Sequence, residues 1–128
     1  MAKQSKVKLR EKPKQTRKSE QAKTEAVAIT KALGHPQRRQ VIICLSVGDK
    51  AMSSPSKVAD FIDEPLGTVS YHARKLLELG MIAEFDTTPA RGAIEHHYRL
   101  TALGKRAFER ITLDNPEEVD ALLEPDES

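Results

Sequence analysis

Four groups in this chain could do chemistry by residue type and spacing. Ser54-Pro55-Ser56-Lys57 has the Ser-x-x-Lys spacing in which a lysine activates a serine for acyl transfer. A serine directly before a proline is also the N-cap and first residue of a helix, and the companion motifs of such enzymes are missing, so the cap explains it fully. His96-His97 suggests a metal site, but neighbours on a strand point to opposite faces and cannot easily clasp one ion. His96 shares a face with Ile94 and Tyr98 and is expected to be a partly buried packing residue. His72 lies at the edge of an apolar helix face, where it could pack, contact a phosphate or titrate at mildly acidic pH. Cys44, the single cysteine, sits in Val41-Ile42-Ile43-Cys44-Leu45 and reads as a core thiol that behaves as a small hydrophobe. No phosphate-binding glycine loop, zinc-protease motif or paired-carboxylate site stands out. The expectation is no enzyme, no cofactor and no bound metal.

The richest grouping is a helix face. With Val69 at zero on a wheel of about 100° per residue, Ala73, Leu76 and Leu77 fall on one side; Gly67, Ser70, Tyr71 and Arg74 fall on the other, with Thr68 and Lys75 flanking. One side packs. The other offers hydroxyls, cations and a glycine that permits close approach, the groups that meet base edges and phosphates in a major groove. Taken alone, such a face could equally be the solvated side of an amphipathic helix. Arg91 adds a cation in a turn, flanked by Pro89 and Gly92, where it could reach a backbone or a minor groove.

The elements that would position these residues follow from apolar periodicity and from Gly and Pro punctuation. Ala26, Ile29 and Leu33 before Gly34 predict a helix over about 24–33, and Pro36 with Val41, Ile42 and Leu45 before Gly48 predicts a second. Ser54-Pro55 opens a short third helix carrying Val58, Ala59 and Ile62. Asp63-Glu64-Pro65 breaks it. A fourth helix runs from Leu66 to Leu79 and is closed by Gly80. Met81 to Phe85 and Ile94 to Leu100 are strand-like, with Thr88-Pro89-Ala90-Arg91-Gly92 as turn residues between them, and Thr101 caps a last helix from Ala102 to Ile111.

Charge divides the chain more sharply than its net +2 suggests. Residues 1–23 hold nine bases and two acids, whereas residues 113–128 hold seven acids and no base. Few large aliphatics lie in either end, so a disordered basic arm (1–23) and a mostly disordered acidic tail (113–128), in which Val119, Leu122 and Leu123 could make one helical turn or a weak docking helix, are expected around one folded unit at 24–112. A length of 128 residues leaves no room for a large multidomain enzyme, and 4% aromatics is low for a chain folded end to end. The lack of a long apolar run or signal-peptide pattern points to a cytoplasmic, nucleoid-associated protein.

A short helix, a tight break, a longer helix and then a hairpin with a basic tip is the layout of a winged helix-turn-helix, here mainly α with one small β-hairpin in the order α-α-α-α-β-β-α. Leu33-Gly34-His35-Pro36-Gln37-Arg38-Arg39 followed by Val41-Ile42 resembles the opening signature of the arsenic-repressor-like (ArsR-type) transcriptional regulators. Thr68-Val69-Ser70-Tyr71-His72 with Leu76 and Leu79-Gly80-Met81-Ile82 resembles their recognition helix. Tyr98-Arg99-Leu100-Thr101 followed by Gly104 is similar to the end of their wing. The resemblance spans about residues 24–111. It implies a sequence-specific DNA-binding regulator, a repressor acting as a homodimer, with the helix at 66–79 in the major groove of double-stranded DNA and a wing at 86–93 on the backbone or minor groove. It also implies a dimer seam around Ala26–Leu33 and Leu103–Ile111, and half-sites ~10 bp apart. The family's metal ligands are missing: Ser56 to Phe61 has no thiolate, and Leu103 to Leu113 has no histidine and only Glu109 as an acid. A sequence-tolerant architectural DNA-binding protein and a protein-interaction module are the alternative readings.

Overall fold

The computed structural model describes residues 13–124. Its elements are α1 (Pro13–Leu33), α2 (Pro36–Leu45), a 3-10 turn (Lys50–Met52), α3 (Pro55–Ile62), α4 (Leu66–Glu78), β1 (Ile82–Ala90), β2 (Ala93–Leu100), α5 (Ala102–Asp114) and α6 (Pro116–Leu123). This is a winged helix with one additional C-terminal helix.

Local chemistry sets most boundaries. Ser54 caps α3, its Oγ accepting from the Lys57 amide at 3.3 Å, with Pro55 in the first turn where no N–H is needed. Asp63 ends α3 in the left-handed region (φ 58°), a conformation that aspartate tolerates better than most residues, and the Glu64 amide returns to the Ala59 carbonyl at 3.0 Å. Pro65 then starts α4, so the chain turns sharply between the two helices. Thr101 caps α5, accepting from the Gly104 amide at 3.1 Å while its hydroxyl donates to the Gly80 carbonyl at 2.6 Å.

The core sits where α2, α3, α4 and α5 meet the base of the hairpin. Ile42, Ile43, Leu76, Met81 and Ile111 are wholly buried, each contributing roughly 1.5–3 kcal/mol by leaving water. Cys44 is fully buried among them, and burial pushes its thiol up to about 12, so the thiolate that oxidation or metal binding requires does not form near neutral pH.

Five expectations need correction. Residues 13–23 are helical: α1 starts at Pro13, not near 24, because its run of Lys, Gln, Glu and Ala has high helix propensity and extends a helix already nucleated by packing at Ala32. Ala26, expected on the packed stripe, is exposed; Ala28, Ile29, Ala32 and Leu33 face inward. The acidic segment is not mostly disordered as expected: Val119 and Leu122 of α6 pack on the core, and Glu118 receives a paired hydrogen bond from Arg39 at 2.9 Å. The hairpin is longer than expected, and Pro89 lies in β1 opposite Ile94; the turn is only Arg91-Gly92, both at positive φ (49° and 80°), which is the two-residue geometry matched to strand twist. Finally His96 is exposed and His97 buried. Alternation along β2 holds, with Ile94, His96 and Tyr98 on one face, but that face lines the groove beside α4 and leaves His96 in solvent, whereas His97 on the other face is covered through Ser53 and Thr88. The parts of the basic arm before residue 13 and of the acidic tail after residue 124 lie outside the described residues.

Candidate nucleic-acid interface

Helix α4 buries Val69, His72, Ala73 and Leu76 and turns its remaining surface outward. Gly67, Tyr71 and Arg74 are exposed, and Thr68, Ser70 and Lys75 are half-buried. Leu77, expected on the packed side, is 40% exposed: it lies at the far edge of the apolar arc, and His72 fills the opposite edge. Nothing lies within 4 Å of where a Cβ would stand on Gly67, so a bound surface could approach the backbone there. Arg91 is exposed at the tip of the wing. The structure therefore puts the six α4 residues on one outward arc. Arg91 stands apart from them, across a groove of about 760 Å3 lined by Leu66, Ser70 and Arg74 on one wall and Arg91 and Ile94 on the other.

The wing is held at its base by a buried polar cluster. The Tyr98 amide donates to the Ser53 carbonyl at 2.8 Å, and the His97 ring is hydrogen-bonded through Nδ1 to Ser53 Oγ (2.7 Å) and through Nε2 to Thr88 Oγ1 (2.8 Å). Ser54 and Ser56 donate to the Glu95 carboxylate at 2.5 and 2.8 Å, and these hydrogen bonds hold its pKa below the ordinary range. The residues of the Ser-x-x-Lys motif thus fix β2 against the start of α3. Sequence reasoning missed this cluster; the density of hydroxyls in Ser53-Ser54-Pro55-Ser56 was its signal.

On the opposite side of α4, His72 accepts from Arg38 Nε at 3.2 Å and lies against the rings of His35 (5.4 Å) and Tyr71 (5.3 Å). Burial first, then the charges of Arg38 and His35, hold its pKa below the usual histidine value. In the unfolded chain His72 takes a proton near pH ~6.5, while the folded protein resists until lower pH. The unfolded state binds more protons in that window. Stability is therefore expected to fall as pH drops below about 6.5, and His72→Gln should flatten that part of a denaturation-midpoint-versus-pH profile. An unchanged slope would assign the acid sensitivity to other groups.

No family model and no curated protein matches the chain. Its fold is similar to the crystal structure of the transcriptional regulator SlyA, with a TM-score of 0.47 and 18% identity over 80% of this chain and 74% of that one. Among the described residues, no helix is long and apolar enough to cross a membrane.

Proposed function

We propose that this chain is a sequence-specific DNA-binding transcriptional regulator, a repressor that acts as a homodimer in the cytoplasm without metal or cofactor. The observation that carries this reading is the outward arc of α4, with Gly67, Tyr71 and Arg74 exposed and Ser70 half-buried between them, beside a wing that ends in Arg91. A helix about 10–12 Å across fits a major groove ~12 Å wide, so that arc would meet base edges and Arg91 would meet the backbone or minor groove. Arg74 is suited to bidentate recognition of guanine. The sequence resemblance to ArsR-type regulators supports the same reading.

Dimerisation is supported by the pairing of α1 with α5. Arg106 and Glu25 join them at 2.9 Å, and Val27 of α1 and Leu113 of α5 stay 53% and 78% exposed, apolar surface that a second copy would cover. A two-fold dimer would place two α4 helices in successive major grooves and require a palindromic site.

The test is competition of unlabelled genomic fragments against a labelled random duplex. A few fragments should compete far better than the rest, and Arg74→Ala should reduce that discrimination by roughly 5–150-fold, the value of one good base contact at ~1–3 kcal/mol. Equal competition by all fragments would favour the sequence-tolerant architectural reading, which the cationic N-terminal half of α1 (Lys18 and Lys23, both exposed) also suits. No binding at low salt would leave the interaction module.

A further inference from the structure

The residues around His72 form a second concave surface, distinct from the groove under the wing. It has a volume of about 540 Å3, with Lys31, His35 and Arg38 on one wall and Tyr71, Lys75 and Glu78 of α4 on the other. Three of these six side chains are cationic and one is a carboxylate. That carboxylate, Glu78, is the more exposed partner of a 3.7 Å pair with Lys75, an arrangement worth little in water. Arg38 differs from an ordinary surface arginine. Its Nε donates to His72 and its Nη1 to the Lys31 carbonyl at 3.1 Å, so two hydrogen bonds fix the plane of the guanidinium while Nη2 keeps its donors free for the groove. Lys75 is similarly constrained, lying 5.6 Å from the centre of the Tyr71 ring.

Position on α4 gives this cradle its meaning. Leu66, Ser70 and Arg74 line the groove on the wing side, whereas Tyr71, Lys75 and Glu78 line the groove on the α1–α2 side. The two concavities therefore flank α4. A helix seated in a major groove has a phosphate backbone along each of its flanks. The wing serves one backbone; on the other flank stands a fixed guanidinium with two lysines. We propose that Arg38, with Lys31 and Lys75, is a phosphate clamp that grips the DNA strand opposite the wing, so that α4 is held from both sides. This rests on the DNA-binding reading above. Charge complementarity selects the occupant: a phosphodiester carries one negative charge and two free oxygens, which a fixed guanidinium N–H pair and two ammonium groups satisfy without discriminating between sequences.

The test uses the full chain and random duplex, titrated at several salt concentrations. Arg38→Gln and Lys31→Gln should each weaken binding to all fragments alike, preserve their ranking, and make the salt slope less steep by about 0.9 for each phosphate that is no longer neutralised. Arg38→Lys should restore most of the slope. Lys31→Gln guards against misfolding, since the exposed Lys31 side chain is removed while its carbonyl still accepts from Arg38. Wild-type binding with unchanged affinity and slope in both variants would overturn the clamp and leave the DNA reading standing. Absence of wild-type binding at low salt would sink the DNA reading and the clamp with it. A melting-temperature rise with inorganic phosphate in wild type but not in Arg38→Gln, without any change in duplex slope, would assign the site to a free anion and likewise overturn the clamp.

Discussion

Gly104→Ala is expected to destabilise the protein by about 3 kcal/mol or more, at the upper end of overpacking substitutions. A Cβ built on Gly104 would stand 2.0 Å from the Met81 carbonyl oxygen, 3.0 Å from its carbon and 3.2 Å from Leu100 Cδ2. The obstacle is backbone, and it cannot retreat cheaply. The Met81 carbonyl accepts from the Thr101 amide at 3.0 Å, and the Met81 amide donates to the Leu76 carbonyl at 2.9 Å, so the chain here is tied at once to the start of α5 and to the end of α4. The Met81 side chain is wholly buried. Relief would require α5 to move off the core, uncovering Ala107 and Ile111 further along the same face. The intrinsic gain from replacing a helical glycine, about 1 kcal/mol, is too small to offset this. A melting temperature lower by roughly 10 °C or more, with a matching shift in urea midpoint, is the expected result. A variant melting within a degree or two of wild type would show that α5 does not approach Met81 so closely.

The approach of α5 to Met81 illustrates why parts of the fold were legible in the sequence and others were not. Signals that act within four residues were readable. Ser54 before Pro55, Thr101 three residues before Gly104, and Gly80 at φ +78° each set a boundary through a local hydrogen bond or an allowed dihedral. The winged-helix order followed from them. What escaped depended on distant partners or on length alone. Helix α6 carries only Val119, Leu122 and Leu123 as large apolar residues, and it docks through Arg39, 79 positions before Glu118. Residues 18–24 of α1 are exposed, so an argument from burial missed a segment whose composition favours helix by itself. Which face of the hairpin is covered depends on Ser53, 44 positions before His97, so alternation alone did not tell which of His96 and His97 is buried.

The candidate interface divides the same way. The outward arc of α4 was legible because 3.6-residue periodicity fixes which residues share a face before any tertiary contact is known. Arg38 was visible only as part of a family-like stretch. Its role depends on a hydrogen bond to His72, 34 positions away, and on the chain reversal at Gly34-His35-Pro36 that turns Lys31 and Arg38 toward the same groove. Sequence spacing across such a reversal carries no angular information.

The second large effect is salt dependence, which decides between polar and apolar use of this surface. The whole chain has a net charge of only +2, so attraction at long range is weak and the slope reports local contacts. If Lys31, Arg38, Lys75 and Arg91 each neutralise a phosphate while Arg74 reads a base, a dimer engages about eight phosphates and the slope of log affinity against log salt is near −7. Raising salt from 50 to 200 mM should then weaken binding on the order of 10⁴-fold. A slope near half that value would retain the contacts of Arg91 and Lys75 and remove those of Lys31 and Arg38, and a slope near a quarter of it would leave Arg91 alone and remove the clamp entirely. A slope near zero would point elsewhere: Leu66 and Ile94 are 51% and 65% exposed across the groove under the wing, and an apolar partner seated on them would bind with little response to salt. Those two residues flank Ser70 and Arg74, so DNA and an apolar partner would compete for the same place. In the DNA reading the charged side chains set both the affinity and its steep decline with salt, and in the other reading Leu66 and Ile94 set an affinity that salt barely changes.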